Sequence, residues 1–218
     1  MIRLLNAPTP NGRKAFIMLE ETGLPYRLEK IDIGKGDQFK AGFLAVSPNN
    51  KIPAIIDQDA EGGPVALFES GAILVYLADK SGRFLPASGV ARYEALAWTF
   101  WQVGGPGPMF GQLGYFAGRA PEKHAPTIAR FVEESHRLLG VMEARLAASA
   151  FVGGPDYGIA DIACYAWTVA AATRLRDMAP GLWGDFPAIA AWLKTVGARP
   201  AVVRAMADPP PEGSQGVA

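Results

Sequence analysis

Two short polar motifs stand where the sequence predicts that helices begin, and both carry groups that can hold an anion. Thr9 and Asn11 follow a short apolar strand and precede the first predicted helix. Glu69 and Ser70 stand at the start of a later helix, with Ser70 as its predicted N-cap residue. Hydroxyl and amide groups at such positions cap the helix, and the helix dipole attracts negative charge to the same place. Each motif therefore has two interpretations, a plain helix cap and an anion-binding position.

A proline opens the third predicted strand. Pro53 stands directly before the apolar run Ala54-Ile55-Ile56, which is typical of a short buried strand. A proline cannot donate to a strand ladder, so it belongs at the first residue of a strand or at a sheet edge. An Ile52–Pro53 bond in the cis form would leave the N–H and C=O groups of Ile52 free for a ligand. The local sequence alone favours the trans form, and only the motifs around it reverse that preference.

The first part of the chain alternates short strands with helices. The predicted order is strand, helix, strand, helix, strand, strand and helix, ending at Gly82, with strands over residues 2–5, 26–33, 54–56 and 65–68. The first two strands must be parallel with a right-handed crossover, and a turn rich in Asp and Gly joins the last two as a hairpin. This order, with a proline opening the third strand, resembles a thioredoxin-like α/β domain over residues 1–83.

Strand patterns are missing from the rest of the sequence. Residues 84–89 are a predicted linker, and residues 90–207 are a predicted all-α domain. A long amphipathic helix is expected at about 127–149, and an almost wholly apolar helix from residue 159 is placed at the centre of this domain. The glycines and prolines of 104–108 should break a helix. Residues 208–218, with three consecutive prolines, are predicted to be disordered.

Composition excludes several classes of protein. The formal net charge is +0 and the basic residues are scattered, which argues against a nucleic-acid or membrane-surface partner. No apolar run is long enough to span a membrane and no signal-peptide pattern is present, so a cytoplasmic location is expected. Cys164 is the only cysteine, which excludes an intrachain redox pair. His124 and His136 have no partner at metal-ligand spacing, so no metal site is expected.

Three motifs together resemble the glutathione S-transferase superfamily. They are Asn50-Lys51-Ile52-Pro53-Ala54, Phe68-Glu69-Ser70-Gly71-Ala72-Ile73 and Ile159-Ala160-Asp161. The resemblance extends from Ile2 to about Ala207. It departs from the usual pattern at Gly158, where the superfamily has Ser or Thr, so that only Asp161 is left of a helix capping box.

The resemblance implies glutathione as co-substrate, with no metal. The backbone of Ile52, turned outward by a cis Pro53, would pair with the cysteinyl unit like an added strand. Ser70 at its helix start would bind the γ-glutamyl carboxylate, and Glu69 would hold the α-amine by a charge-assisted bond. Lys51 would reach the glycyl carboxylate. Taken singly, a plain helix cap is favoured for Ser70 and a solvated charge for Glu69 and Lys51, and only the superfamily pattern favours binding.

Four further motifs resemble the nu-class bacterial transferases, which are glutathione-dependent disulfide-bond reductases. They are Thr9-Pro10-Asn11-Gly12, Gly34-Lys35-Gly36-Asp37-Gln38-Phe39, Phe100-Trp101-Gln102-Val103-Gly104-Gly105 and Gly107-Pro108-Met109-Phe110-Gly111-Gln112. The resemblance implies that Gln38 contacts the glycyl end of glutathione. Because no Tyr, Ser or Cys stands between Met1 and Phe16, the glutathione thiolate would be stabilised by Thr9 and Asn11 at the helix start.

The resemblance also implies a homodimer and a second-substrate cleft. Arg130 could reach a second glutathione across the dimer, and Trp101 and Gln102 could line the cleft, with Trp101 equally compatible with a core position. One alternative is a glutathione transferase or peroxidase acting on electrophiles or hydroperoxides. Another is a non-catalytic glutathione-binding regulator, since the chain is also similar to the globular part of the prion-forming nitrogen regulators. Those regulators carry a long polar N-terminal extension, whereas this sequence begins at its first strand.

Overall fold

The computed structural model describes residues 1–207, which form two units. One unit comprises Met1–Ala87 together with residues 198–207, and the other comprises Ser88–Gly197. The first unit holds a four-stranded sheet with helices, and the second is all-helical. The predicted fold class is therefore confirmed. The predicted disordered tail, 208–218, lies outside the described residues.

The sheet of the first unit is mixed. Its strands are β1 (Ile2–Asn6), β2 (Tyr26–Lys30), β3 (Ala54–Asp57) and β4 (Val65–Phe68), in the spatial order β2-β1-β3-β4. The strands β1 and β2 are parallel, and β3 is antiparallel to both of its neighbours, which confirms the predicted crossover and hairpin. Helices α1 (Pro10–Thr22), α2 (Ala41–Leu44) and α3 (Ser70–Ser81) connect these strands and follow them.

Helix α1 is the buried helix of this unit. It begins after the N-cap residue Thr9 and ends before Gly23, whose φ of 69° is the left-handed conformation typical of a C-cap. Phe16, Ile17, Met18 and Leu19 are all buried, as the apolar sequence of this helix predicts. A helix that is apolar around its girth must pack on several sides, and α1 contacts β1 and α3.

The helical unit contains six α-helices among the described residues. They are α4 (Gly89–Gly104), α5 (Pro106–Gly114), α6 (Ala125–Ala148), α7 (Ile159–Ala170), α8 (Arg176–Met178) and α9 (Pro187–Gly197). The predicted break falls between α4 and α5, and α7 is buried along most of its length. The helices α5 and α7 continue into π-helical turns at Tyr115–Arg119 and Ala171–Leu175. Within residues 1–207, no helix is both long and apolar enough to cross a membrane.

The last described helix, α10 (Pro200–Met206), packs on α1 and so belongs to the first unit. The sequence pattern predicts instead that these residues belong to the all-α domain, which was expected over residues 90–207. Arg13 of α1 is buried, and its Nη1 donates to the carbonyl oxygens of Ala205 at 2.5 Å and Ala207 at 2.7 Å. The guanidinium of Arg199 makes a bidentate bond to the carboxylate of Glu21, at 2.6 and 2.9 Å. These arginines join two segments far apart in sequence, which local patterns cannot reveal.

Candidate functional site

The sheet register brings three predicted motifs to one edge of the first unit. Leu5 of β1 pairs with Ala54 of β3, which pairs in turn with Phe68 of β4. Because β3 runs against both neighbours, its first residue lies beside the last residues of β1 and β4. Thr9 follows the end of β1, and Pro53 immediately precedes β3. Glu69 immediately follows β4, so all three motifs emerge at this edge.

The strand entry at Ile52–Pro53 is held from two sides. The peptide bond between these residues is cis, as predicted. The Ile52 side chain packs against the buried cluster of Leu5, Phe43 and Ala54. On the other side, the buried Ser47 donates its hydroxyl to the carbonyl of Lys51 at 2.8 Å.

The backbone of Ile52 is available to a ligand. Within residues 1–207, neither its N–H nor its C=O is hydrogen-bonded to another residue. The strand ladder begins only at Ala54. A peptide laid along this edge could therefore pair with Ile52, while the exposed Lys51 side chain stands beside it.

The start of α1 confirms Thr9 as its N-cap residue. Thr9 Oγ1 accepts from the N–H of Gly12 at 3.2 Å, and Asn6 Nδ2 donates to the carbonyl of Gly12 at 3.1 Å. A Cβ at Gly12 would lie 2.0 Å from the carbonyl oxygen of Ala7, so only glycine fits there. A threonine hydroxyl that accepts a bond still has its own proton to donate. Asn11 is half-buried in the same first turn.

The start of α3 differs from the prediction. The N-cap position belongs to Glu69, whose carbonyl accepts from the N–H of Ile73 at 3.0 Å, and Ser70 is the first helical residue. The prediction that Ser70 is the N-cap residue is therefore wrong. Glu69 adopts φ 71° and ψ 116°, a conformation that non-glycine residues rarely occupy, and its exposed side chain makes no capping bond. Such backbone conformations cluster at ligand sites.

Lys14 contacts this helix start and was missed by the sequence reasoning. Its side chain is only 1% exposed, and its Nζ lies 3.3 Å from Ser70 Oγ. No other lysine in residues 1–207 is buried. No local pattern marks it, because Lys14 stands beside Arg13 and before the apolar run from Ala15 to Leu19, where a charged residue is ordinary.

Gln38 lies in a short 3-10 turn, Asp37–Phe39, beyond the end of β2. Its Nε2 donates to the carbonyl of Ile33 at 3.4 Å, and its Oε1 is buried without a hydrogen-bond partner among the described residues. The predicted strand ends early, at Lys30. Asp32 then turns the chain, because its carboxylate accepts from the N–H groups of Gly34 and Lys35, each at 3.1 Å.

Two carboxylates stabilise this turn. Hydrogen bonds, led by the one from the backbone of Lys35, lower the pKa of Asp32. A hydrogen bond from Lys40 lowers the pKa of Asp37. Both groups are thus held in the charged form that accepts these bonds.

The three residues predicted for a second substrate lie in the helical unit. Trp101 is half-buried and packs edge-on against Trp98, with ring centroids 5.1 Å apart. Gln102, next to it in α4, is fully buried, and Arg130 is exposed on α6. Cys164 is buried in α7. Within residues 1–207, no group of three His, Cys, Asp or Glu side chains could hold a metal ion.

Both halves of the chain match models of one family. The model of the glutathione S-transferase N-terminal domain matches residues 9–80, and the model of the C-terminal domain matches residues 125–195. The disulfide-bond oxidoreductase YfcG of Escherichia coli K12 is 49% identical over 208 residues, which cover 94% of each chain. The chain therefore belongs to the glutathione S-transferase family, as the resemblance implied.

Two solved structures of bacterial glutathione transferases are similar over nearly the whole chain. One, from Pseudomonas fluorescens with two glutathione bound, has a TM-score of 0.90 and 45% identity, and the match covers 94% of this chain and 92% of that one. The other, from Pseudomonas putida, has one glutathione disulfide bound per subunit. Its TM-score is 0.90 at 41% identity, and the match covers 95% of this chain and 91% of that one.

Proposed function

We propose that this protein is a glutathione-dependent disulfide oxidoreductase whose substrate thiolate is held at the start of α1. The observation that carries the proposal is the common sheet edge at which Thr9, the cis Ile52–Pro53 step and Glu69 emerge. The similarity to a disulfide-bond oxidoreductase at 49% identity supports the type of reaction.

Glutathione would lie along this edge as an extended peptide. The free backbone groups of Ile52 pair with the cysteinyl unit, while Lys51 and Gln38 contact the glycyl carboxylate. Pro53 holds Ile52 in that position. The γ-glutamyl end lies at the start of α3, where a carboxylate meets the helix N-terminus and an ammonium group meets an acidic side chain.

The chemistry is thiol–disulfide exchange. The glutathione thiolate, stabilised by Thr9 and Asn11, attacks one sulfur of a disulfide, forms a mixed disulfide and expels the other sulfur as a thiolate. A second glutathione thiolate then attacks the mixed disulfide, which gives glutathione disulfide and the second product thiolate. Protons released when the two glutathione thiols ionise end on the product thiolates. The single cysteine is buried in α7, so both attacking thiols come from glutathione. Two glutathiones, as bound in one similar structure, are the reactants of this cycle, and glutathione disulfide, as bound in another, is its product.

The proposed partner is a second copy of the chain. Three large apolar side chains on α4 are exposed, namely Val90 at 83%, Tyr93 at 72% and Phe100 at 61%. Their spacing places them on one face of the helix, which a homodimer would cover. Sedimentation of the Tyr93→Glu variant should show dissociation. In the dimer the exposed Arg130 contacts the second glutathione and the half-buried Trp101 lines its cleft, whereas the fully buried Gln102 has no surface with which to line it. The Arg130→Gln variant should therefore weaken the second binding step and spare the first. The cytoplasmic location stays a prediction.

Two assays run side by side test the reaction. One is glutathione-dependent reduction of a small disulfide coupled to glutathione reductase, and the other is conjugation of an aryl halide. Disulfide turnover well above conjugation is expected. Fast conjugation without disulfide reduction would support the transferase alternative, and glutathione binding without turnover in either assay, or with hydroperoxides, would support the non-catalytic regulator.

Asn11 is the residue whose replacement tests the thiolate site. The Asn11→Ala variant should lower kcat for disulfide reduction by about tenfold to a hundredfold and change the glutathione dissociation constant much less. The matched control is Gln58→Ala, which removes an exposed amide in the hairpin turn of the same unit. An unchanged kcat in Asn11→Ala would reject the proposed role.

A further inference from the structure

Lys14 is buried beside Ser70, next to the position proposed for the ligand carboxylate, and is shielded from solvent. Lys14 is 1% exposed and Ser70 is 7% exposed, so the hydrogen bond between them is almost wholly shielded from water. Lysine is almost never buried without a specific partner, because removing an ammonium group from water is costly. A lysine at this place therefore requires a reason beyond filling the space between α1 and α3.

The bond between these two residues can have only one direction. An ammonium group has three donors and no acceptor, whereas a serine hydroxyl has one donor and two acceptor positions. Lys14 Nζ must therefore donate, and Ser70 Oγ must accept. The hydroxyl proton of Ser70 cannot point at Lys14, so it is left to donate to another group.

The surroundings of Ser70 define the group that this proton suits. Ser70 is the first residue of α3, where the N–H groups of the first turn have no partner within the helix. Glu69 at the N-cap position makes no side-chain cap bond. A ligand at this end meets an O–H donor, N–H donors and the positive end of the helix dipole, with a buried positive charge behind them. Every one of these features favours an acceptor that carries negative charge.

We propose that Lys14 is a positioning residue that turns Ser70 into an obligatory donor and so makes the site select a carboxylate over a neutral group. The inference rests on the proposed function, in which the γ-glutamyl α-carboxylate of glutathione occupies this place. Lys14 acts through Ser70 and through its charge and does not touch the reacting sulfur.

Two ligands separate this role from a structural one. They are glutathione and its analogue in which the γ-glutamyl α-carboxylate is converted to the neutral amide. Calorimetry on the full chain gives the ratio of the two dissociation constants. The Lys14→Met variant, which keeps the length of the side chain, should reduce the preference for the acid by about tenfold. A lysine that only filled space would change both dissociation constants equally and leave their ratio as it is.

The control and a second variant keep the test decisive. Lys80→Met removes a lysine from the opposite end of α3, where it bonds to Asp57 at 2.7 Å, and should leave the ratio unchanged. Ser70→Ala removes the mediator, so it should lower the same preference, and adding Lys14→Met to it should have a smaller further effect. An unchanged ratio in Ser70→Ala overturns the inference even if no Lys14 variant folds.

Failure of this inference is distinguishable from failure of the proposed function. If the unmodified protein does not bind glutathione, the proposed function fails and this inference fails with it. If the unmodified protein binds glutathione and reduces disulfides, but Lys14→Met keeps the full preference for the acid, only the role of Lys14 is wrong.

Discussion

Two helix starts in this protein use acidic residues in opposite ways. At the start of α7, Asp161 is fully buried and its carboxylate accepts three bonds within the helical unit. Oδ2 accepts from the N–H of Gly158 at 3.1 Å, and Oδ1 accepts from the N–H of Val152 at 2.9 Å and from Trp192 Nε1 at 2.8 Å. At the start of α3, Glu69 is exposed and makes no capping bond.

The difference follows from where each acid stands in its helix. Asp161 is at the third helical position, from which a short side chain reaches back to the N-cap backbone. Glu69 is itself the N-cap residue, and its φ of 71° departs from the extended conformation usual there. The Asp161 carboxylate is thus fully used by bonds within the protein and serves folding. The start of α3 keeps donors and a carboxylate for a ligand.

The largest effect is expected when the Asp161 carboxylate is replaced. In Asp161→Asn, an NH₂ group replaces one acceptor oxygen and faces N–H donors that are buried. The free energy of unfolding should fall by about 2–4 kcal/mol, because at least one buried donor loses its acceptor. Urea denaturation measures the change, and glutathione affinity of the folded protein should not move. The exposed Asp156→Asn is the matched control, and equal stability of the two variants would contradict the contrast.

A smaller and opposite effect is expected at the open start. Glu69→Gly should raise the free energy of unfolding by about 1 kcal/mol, because glycine adopts a positive φ without strain. The same change should weaken glutathione binding by about tenfold, because the carboxylate for the α-amine is gone. Denaturation and calorimetry on one preparation measure both quantities.

The two effects of Glu69→Gly separate in a second variant. Glu69→Gln keeps the side chain and the backbone strain but removes the charge, so it should weaken binding and leave stability unchanged. Binding that is unaffected in both variants would remove Glu69 from the site.

The smallest effect is expected from completing the capping box of α7. Gly158 is extended, with φ −156° and ψ −165°, so serine fits its backbone conformation. Gly158→Ser should raise the free energy of unfolding by a few tenths of a kcal/mol, roughly the difference between glycine and serine at an N-cap position. Thermal unfolding of the two proteins in parallel resolves such a difference. A loss of stability would show that the hydroxyl does not reach the helix N–H groups.

The sequence by itself determined the fold class and most of the candidate site. Short strands bounded by turn residues are local signals, and they were enough to predict the crossover and the hairpin of the sheet, whereas the cis bond before Pro53 was predicted only from the motifs at Thr9 and Glu69 and from the family resemblance. The cap at Thr9 and the break between α4 and α5 are local in the same sense. Each depends on residues within a few positions of one another, so a single chain read in order contains the information.

Tertiary structure alone decided the contacts between segments distant in sequence. The packing of α10 on α1 rests on bonds such as Arg13 to Ala205, across 192 positions, which no local pattern encodes. Lys14 looked like an ordinary helical charge until the fold placed Ser70, 56 positions away, against its Nζ. Ser70 lies in the first turn of α3 because Glu69, at a φ of 71°, takes the N-cap position, and no local pattern in the sequence predicts that conformation. Burial and register are properties of the assembled sheet and helices, so they decide which charges at the site face a ligand.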